Sequence, residues 1–214
     1  MRSFENRRDA GRKLAALMAR RDWGDAVVLG LPRGGVPVAD EVARALGAPL
    51  DVLIVRKLGL PRQPEVAMGA IGEQGARVVN DDVVRSGGVT HDEFARVELH
   101  ERGELESRVK RFRAGRPPVP LAGCTAIVVD DGVATGATAR VACQVARARG
   151  AERVVLAVPV AAADAIANAT WADEIVCVER LEWFMAVGLH YVDFRQTSDA
   201  EVAEILEQAQ QRPE

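Results

Sequence analysis

The 214-residue sequence predicts an α/β fold with a mostly parallel, twisted sheet and helices on both faces. Short apolar runs alternate with segments of helical periodicity along most of the chain. The apolar runs lack a polar face, which is typical of parallel strands buried on both sides. We expect a single domain over residues 1–214, with a flexible loop over about 58–75. A hood is expected from about 181–197, with the N-terminal helix as a further candidate contributor.

The first part of the chain predicts a helix followed by a strand–helix–strand unit. Residues 5–20 have apolar side chains at helical spacing, and residues 26–31 form a short apolar run. Residues 36–47 predict a helix that ends at Gly47, and residues 50–57 predict a second buried strand. Two strands joined through a helix run parallel with a right-handed crossover.

The segment over residues 58–80 has a different composition. It contains four glycines and two prolines, and its hydrophobic periodicity is weak. We predict a mobile loop over 58–66 and then a hairpin with its turn near 72–75. Residues 91–113 follow as a highly charged helix with apolar residues on one side only, which indicates a solvated helix at the sheet edge.

The second half of the chain returns to alternating strands and helices. The final helix has Ser198 as its expected N-cap, and Glu201 completes a capping-box pattern. The predicted strands span 125–131, 152–160 and 173–179, and the predicted helices span 136–150, 162–170 and 198–211.

Composition excludes several classes of protein. A formal net charge of −3 gives no support for broad nucleic-acid or membrane binding, and 48% hydrophobic residues suffice for a sizeable core. Cys124, Cys143 and Cys177 lie inside apolar segments, which indicates free buried thiols. The polar first residues and the lack of a membrane-length apolar run predict a cytoplasmic protein without signal peptide.

Two acidic residues end the predicted strand over 125–131. Ligands of open α/β sheets bind outside the carboxyl ends of the strands, and Asp130 and Asp131 lie at such an end. Two ionised carboxylates are too costly to bury unpaired. We therefore expect both side chains to face a polar ligand, a metal or water.

The residues after the aspartates have the composition of an anion-binding loop. Residues 134–138 are small or threonine, so that backbone N–H groups can converge, and the helix start adds free N–H groups and its dipole. Thr135 and Thr138 add hydroxyl donors. A phosphate fits this loop, while a diol fits Asp130 and Asp131, and a ribose 5-phosphate has both groups.

The stretch VVDDGVATGAT, residues 128–138, resembles the phosphoribosyl-diphosphate signature of type I phosphoribosyltransferases. It has neither the G-K-[ST] of a Walker A loop nor a G-x-G-x-x-G fingerprint. Through LGLPRQPEVAMGAIGE and LEWFMAVGLHYVDFRQTSDAEV, nearly the whole chain resembles a bacterial group of that family with unassigned substrate. The resemblance implies the type I fold and assigns the phosphate loop to Gly132, Val133, Ala134, Thr135, Gly136, Ala137 and Thr138.

The resemblance also implies a diphosphate loop and its basic neighbours. LPRGG follows the first strand, where the family has its pyrophosphate loop and often a cis peptide. Gly34 and Gly35 allow close backbone approach to a diphosphate, and Arg33 can pair with it bidentately. Lys57 ends the predicted second strand, where many family members have a basic residue near the diphosphate.

The acceptor and metal sites are implied by resemblance alone. Purine-type members hold the base on an aromatic residue near the end of the chain, which makes Trp183 and Phe184 the candidates. Mg²⁺ is the implied cofactor, held mostly by substrate oxygens, with Asp193 as a further contact. Asp130 or Asp131 is the implied general base, and the sequence leaves both open.

The implied reaction is transfer of a 5-phosphoribosyl group from 5-phosphoribosyl 1-diphosphate to a nitrogen acceptor, such as a nucleobase in salvage, with release of pyrophosphate. The implied partners are these two substrates and a second copy in a homodimer, without nucleic acid or membrane. Two alternatives remain open at this point. One is a non-catalytic regulatory module that binds the same sugar phosphate. The other is a hydrolase of a phosphoribosyl compound, which needs a site that admits water.

Overall fold

The computed structural model describes residues 3–167 and 169–212 and contains two sheets. Five parallel strands lie in the order β2-β1-β6-β7-β8, and three antiparallel strands lie in the order β3-β4-β5. This confirms the predicted α/β class. The strands are β1 (Ala26–Gly30), β2 (Leu50–Val52), β3 (Val55–Leu60), β4 (Gln63–Gly72), β5 (Arg77–Val79), β6 (Thr125–Val129), β7 (Arg153–Ala162) and β8 (Glu174–Leu181).

Seven α-helices accompany the strands within the described ranges. Two short 3-10 turns, Glu73–Gly75 and Val187–His190, complete the regular structure described there. Among the described residues, no helix combines the length and hydropathy that crossing a membrane requires. The helices are α1 (Arg7–Met18), α2 (Gly35–Leu46), α3 (Asp81–Ser86), α4 (His91–Arg113), α5 (Ala137–Ala148), α6 (Ala163–Ala167) and α7 (Asp199–Gln210).

Successive residues of the parallel strands enter two different cores. Along β6, Ile127 belongs to the core that contains residues of α1, α2, α4 and α7. Its neighbours Ala126 and Val128 belong to the core that contains residues of α5 and α6. Because side chains alternate across a strand, this arrangement needs apolar residues at every position, as the sequence has.

The predicted strand over 50–57 is wrong in its second half. β2 ends at Val52, where Leu53 donates its N–H to the Gly30 carbonyl at 3.1 Å. Leu53 and Ile54 are buried as the chain turns out of the parallel sheet, and Val55 begins the antiparallel sheet. The sequence did not reveal this because the apolar run continues through the turn without a glycine or proline.

The segment over 58–66, predicted to be a mobile loop, lies in a β-hairpin, while its mobility stays a prediction. β3 and β4 pair antiparallel from Val55↔Gly72 to Leu60↔Gln63. The fully buried Leu58 and Met68 anchor the two strands in the core. The glycines and prolines masked the strand pattern, although the predicted turn near 72–75 is confirmed.

Helix bounds follow their capping residues closely. The predicted helix 91–113 matches α4 residue for residue, with Thr90 and Glu93 forming a capping box that the sequence reasoning did not use. Ser198 caps α7 by accepting from the N–H of Glu201 at 3.1 Å. Within the predicted helix 162–170, α6 spans Ala163–Ala167, and Asn168 lies outside the described residues.

A buried ionic cluster joins α4 to both sheets. Arg113, at the end of α4, donates to Asp51 of β2 at 2.9 Å and to Glu73, beyond β4, at 2.7 Å. All three side chains are nearly inaccessible to solvent. Asp51 also accepts from the N–H of Val119 at 2.9 Å. This cluster fixes the antiparallel sheet and α4 against the parallel sheet.

Replacing Arg113 with alanine is expected to destabilise the fold severely. Two carboxylates would remain buried without their cation, which typically costs about 3–5 kcal/mol. Urea unfolding followed by circular dichroism measures the loss. The control is Arg85→Ala, which removes the solvent-exposed ion pair with Asp82 and is expected to leave the midpoint nearly unchanged. Equal losses in both variants would contradict a structural role for the cluster.

Candidate active site

The two aspartates lie at the carboxyl end of the central strand of the parallel sheet. β6 runs between β1 and β7, and Asp130 and Asp131 follow its last residue. The chain leaving β1 stays close, because Leu31 donates its N–H to the Val129 carbonyl at 2.9 Å. The predicted aspartate pair and the LPRGG loop are therefore adjacent.

Three separate parts of the chain meet at Asp131. Arg7 of α1 donates from Nε to the carboxylate at 2.8 Å, and the Tyr191 hydroxyl donates to the Asp131 carbonyl at 2.6 Å. The backbone of Gly34 lies so near that a Cβ there would overlap the carboxylate. Only glycine fits at position 34 while Asp131 keeps this conformation.

Asp130 lies beside Gly35, which follows Gly34 in the LPRGG loop. A Cβ at Gly35 would lie 3.3 Å from its Oδ1, which accepts the N–H of Asp131 at 2.9 Å. Burial, followed by the charge of Asp131, raises the pKa of Asp130 well above its usual value. Burial also raises the pKa of Asp131, against the opposing effect of Arg7.

The predicted phosphate loop leads into α5 with its helix N-terminus open. Gly136 is the N-cap, with φ of +75° and without a side chain that could accept from the first N–H groups. The Thr135 hydroxyl lies 3.5 Å from the Ala137 N–H. Val133 anchors the loop to β7, donating its N–H to Val160 at 2.9 Å. This helix start, whose N-cap residue has no side chain, can bind an anion.

The LPRGG loop presents Arg33 beside a carboxylate of α7. The Pro32–Arg33 peptide bond is cis. Arg33 Nη1 lies 3.4 Å from Oδ1 of Asp199, and Arg111 of α4 approaches the other oxygen at 3.5 Å. Both contacts are longer than a strong charge-assisted hydrogen bond, which leaves the two guanidinium groups able to bind another anion.

A first cleft of about 770 Å³ separates the phosphate loop from β3, β4 and α4. Thr135 and Thr138 border it on one side, and Arg56, Lys57 and Arg108 on the other. The predicted place of Lys57 is wrong, since it lies within β3 of the antiparallel sheet rather than at the end of a parallel strand. Its ammonium contacts Glu65 Oε2 at 3.3 Å.

A second cleft of about 560 Å³ opens above the LPRGG loop and Asp131. It is strongly basic, and Phe112 and Phe194 supply its aromatic surface. The lining residues are Arg7, Pro32, Arg33, Gly34, Arg108, Arg111, Phe112, Asp131, Phe194, Gln196, Thr197 and Asp199.

Trp183, Phe184 and Asp193 line neither cleft, and neither does Asp130. Trp183 is 94% exposed, and Phe184 stacks on His190 with ring centres 5.2 Å apart. The Asp193 carboxylate pairs with Arg195 at 2.7 Å, and the hydrogen bonds from Arg195 lower the pKa of Asp193 to about 2.

Sequence reasoning missed most residues that border the second cleft, among them Arg7, Arg108, Arg111 and Phe194. Phe194, only ten residues after Phe184, is an aromatic residue of this cleft, and the guanidinium of Arg7 lies 4.0 Å from its ring centre. Arg108 and Arg111 belong to the helix predicted to be merely solvated. The sequence shows that both arginines lie on the same predicted helix. It does not show that this helix packs beside the LPRGG loop.

Neither a metal cluster nor an activated thiol is evident in the described ranges. Across them, no group of three or more histidine, cysteine, aspartate or glutamate side chains could hold a metal ion. The three cysteines are unpaired. Burial raises the pKa of Cys143 to about 12 and of Cys177 to about 11, so both stay protonated at neutral pH.

Comparison with known proteins identifies relatives over nearly the whole chain. A family model described as "Phosphoribosyl transferase domain" matches residues 3–195. Two Mycobacterium tuberculosis proteins, from strains CDC 1551 and H37Rv, are provisionally named phosphoribosyl transferases and are 57% identical over 213 residues. The match covers 98% of this chain and 47% of each relative, so the chain spans about half the length of these curated relatives.

A solved structure shares the fold in detail. The crystal structure of TT1426 from Thermus thermophilus superposes with a TM-score of 0.91 at 43% sequence identity, covering 97% of this chain and 99% of that one. Together with the family model, this confirms the resemblance drawn from VVDDGVATGAT and the fold expected from it. The chain belongs to the type I phosphoribosyltransferase family.

Proposed function

We propose that the chain transfers a 5-phosphoribosyl group from 5-phosphoribosyl 1-diphosphate to a nucleobase in salvage metabolism, releasing pyrophosphate. The observation that supports this most is the junction of three features at the end of β6. The uncapped start of α5, the aspartate pair and the LPRGG loop lie side by side. They match the phosphate, the diol and the diphosphate of that one donor.

The donor's sugar phosphate is expected to span β6 and α5. Free N–H groups at the start of α5 and the hydroxyls of Thr135 and Thr138 hold the 5-phosphate. Asp131, which borders the second cleft, accepts hydrogen bonds from the ribose hydroxyls. Its pairing with Arg7 keeps the carboxylate in place for that role.

The reaction breaks the bond between ribose C1 and the diphosphate oxygen and forms a bond between C1 and an acceptor nitrogen. Negative charge grows on the leaving diphosphate, which Arg33 and the N–H groups around Gly34 stabilise. The acceptor enters the second cleft, where Phe194 and Gln196 offer an aromatic edge and a polar partner. The bond electrons leave with pyrophosphate, and the acceptor nitrogen loses a proton.

Asp130 is the stronger base of the acidic pair. Asp131 has Arg7 at 2.8 Å, whereas Asp130 accepts within the described residues only from the N–H of Asp131. Burial, followed by the charge of Asp131, raises the pKa of Asp130 and so increases its affinity for a proton. We therefore assign proton acceptance to Asp130 and ribose binding to Asp131.

The acidic pair also fits a role in holding Mg²⁺. Asp130 and Asp131 are hard oxygen donors whose mutual repulsion a cation would relieve, although two carboxylates are too few for a complete octahedral shell. The diphosphate and water would supply the remaining oxygens. When bound, Mg²⁺ would neutralise charge on the leaving group.

The unpaired cysteines support a reducing compartment such as the cytoplasm.

The decisive experiment incubates purified protein with 5-phosphoribosyl 1-diphosphate, Mg²⁺ and one nucleobase at a time. Base-dependent release of pyrophosphate supports the proposal. Base-independent release would indicate a hydrolase, and donor binding without turnover would indicate a regulatory module. Reactions with guanine, hypoxanthine, xanthine, adenine and uracil also define the acceptor.

The double variant Asp130→Asn and Asp131→Asn is expected to lose donor binding while staying folded. Each lost hydrogen bond to a charged group weakens binding by about 10- to 100-fold. Calorimetry with 5-phosphoribosyl 1-diphosphate measures the change. The adjacent pair Asp81 and Asp82, both exposed on α3, provides the control when changed to asparagine. Unchanged affinity of the first variant would refute the site.

Arg33→Ala is expected to slow turnover by about 100-fold, because a donor for the developing charge is removed. Affinity for ribose 5-phosphate, which has no diphosphate, should stay within about twofold of the original, since Arg33 makes no proposed contact with it. Steady-state kinetics and calorimetry check the two values. Arg12→Ala, at a 58% exposed side chain of α1, is the control. An equal loss of both quantities would contradict a diphosphate role.

Asp130→Asn is expected to stabilise the fold at neutral pH while impairing catalysis. With its pKa raised in the folded state, Asp130 binds a proton on folding between about pH 4 and that raised pKa. The original protein therefore loses stability as pH rises through this window. Thermal unfolding from about pH 3.5 to 8 should show a stability gain for the variant that shrinks toward low pH. A pH-independent difference would contradict the raised pKa.

A further inference from the structure

Helix α4 forms a wall shared by the two clefts. On the first cleft it presents Arg96, His100 and Arg108, opposite Thr135 and Thr138 of the phosphate loop. On the second it presents Arg108 and Arg111. Arg108 is the one residue found in the lining of both clefts as described.

Arg108 differs from Arg56 and Arg111, the two arginines that act most on its charge, in having no ion pair among the described residues. Arg56 donates to Glu101 at 2.6 Å, and Arg111 lies 3.5 Å from Asp199. Among the ion pairs of residues 3–167 and 169–212, none includes Arg108. Its guanidinium therefore keeps its donors free at the junction of two basic clefts.

The surroundings of Arg108 favour an anion. Partial burial, followed by the charges of Arg56 and Arg111, lowers the pKa of its guanidinium. Three arginines repel one another here, with Glu101 and Glu104 offsetting the repulsion in part. A multiply charged anion between the clefts would relieve this repulsion and bind strongly in return.

We propose that Arg108 binds the diphosphate of 5-phosphoribosyl 1-diphosphate together with Arg33, which lines the second cleft with it. This rests on the proposed function, which places the 5-phosphate at the first cleft and Arg33 at the second. A donor extending from one cleft to the other passes the junction where Arg108 lies. The planar guanidinium can hold two diphosphate oxygens in a fixed bidentate geometry, which an ammonium does not offer.

The assignment gives α4 a second role in the reaction. Beyond packing its apolar side on the core, the helix provides the cationic wall that faces the LPRGG loop. Arg108 holds the diphosphate in the bound donor and stabilises it as it departs. Preference for 5-phosphoribosyl 1-diphosphate over ribose 5-phosphate then depends on this wall.

The test compares Arg108→Ala and Arg108→Lys with the original protein by calorimetry. The ligands are 5-phosphoribosyl 1-diphosphate with Mg²⁺, pyrophosphate with Mg²⁺, and ribose 5-phosphate. The alanine variant is expected to lose about 10- to 100-fold in affinity for the first two ligands, as for one charged hydrogen-bonded pair. Ribose 5-phosphate affinity should not change, and lysine should restore part of the loss.

Arg102→Ala is the matched control, because it removes the same charge from the same helix. Arg102 pairs with Glu98 and lies outside both clefts, so its loss should leave all three affinities intact. Equal donor affinity in Arg108→Ala and the original protein would overturn the inference while the proposed function stands. Equal weakening of ribose 5-phosphate would also overturn it. Failure of the original protein to bind the donor would overturn both proposals.

Discussion

The structure depends above all on how the charge of Asp131 is accommodated at the end of the central strand. A carboxylate at this depth needs a cation, and Arg7 supplies it from the first helix. It also needs room, which Gly34 provides by having no side chain. Tyr191 fixes the backbone from the far end of the chain. The one acidic residue thus determines where α1, the LPRGG loop and the segment after β8 come together.

The same physical chemistry explains why stability and function oppose each other here. Burying two like charges side by side is unfavourable for folding, and the high proton affinity of Asp130 is the direct result. The proposed role of Asp130 as a base depends on a raised proton affinity of this kind. The fold tolerates the repulsion because large apolar cores surround both faces of the sheet.

The order of elements could be predicted from the sequence, whereas several contacts of the site could not. Continuous apolar runs and glycine turns define the parallel strands, and VVDDGVATGAT marks the end of β6. The hairpin of β3 and β4 was missed because glycines interrupt its alternation. Arg7 and Phe194 were missed because the segments that contain them meet only through long-range pairing, as the bridge between Phe4 and Tyr191 shows. No local sequence pattern predicts the register of two segments so far apart in the chain.

The bridge between Phe4 and Tyr191 also has a consequence for biosynthesis. A ribosome must add about 190 residues after Phe4 before the two can meet. The parallel strands β1, β2, β6 and β7 all lie before residue 163, so they are synthesised before Tyr191 and before Arg195, whose carbonyl accepts from Arg7. Tyr191 can therefore reach the Asp131 carbonyl only after these central strands have been synthesised.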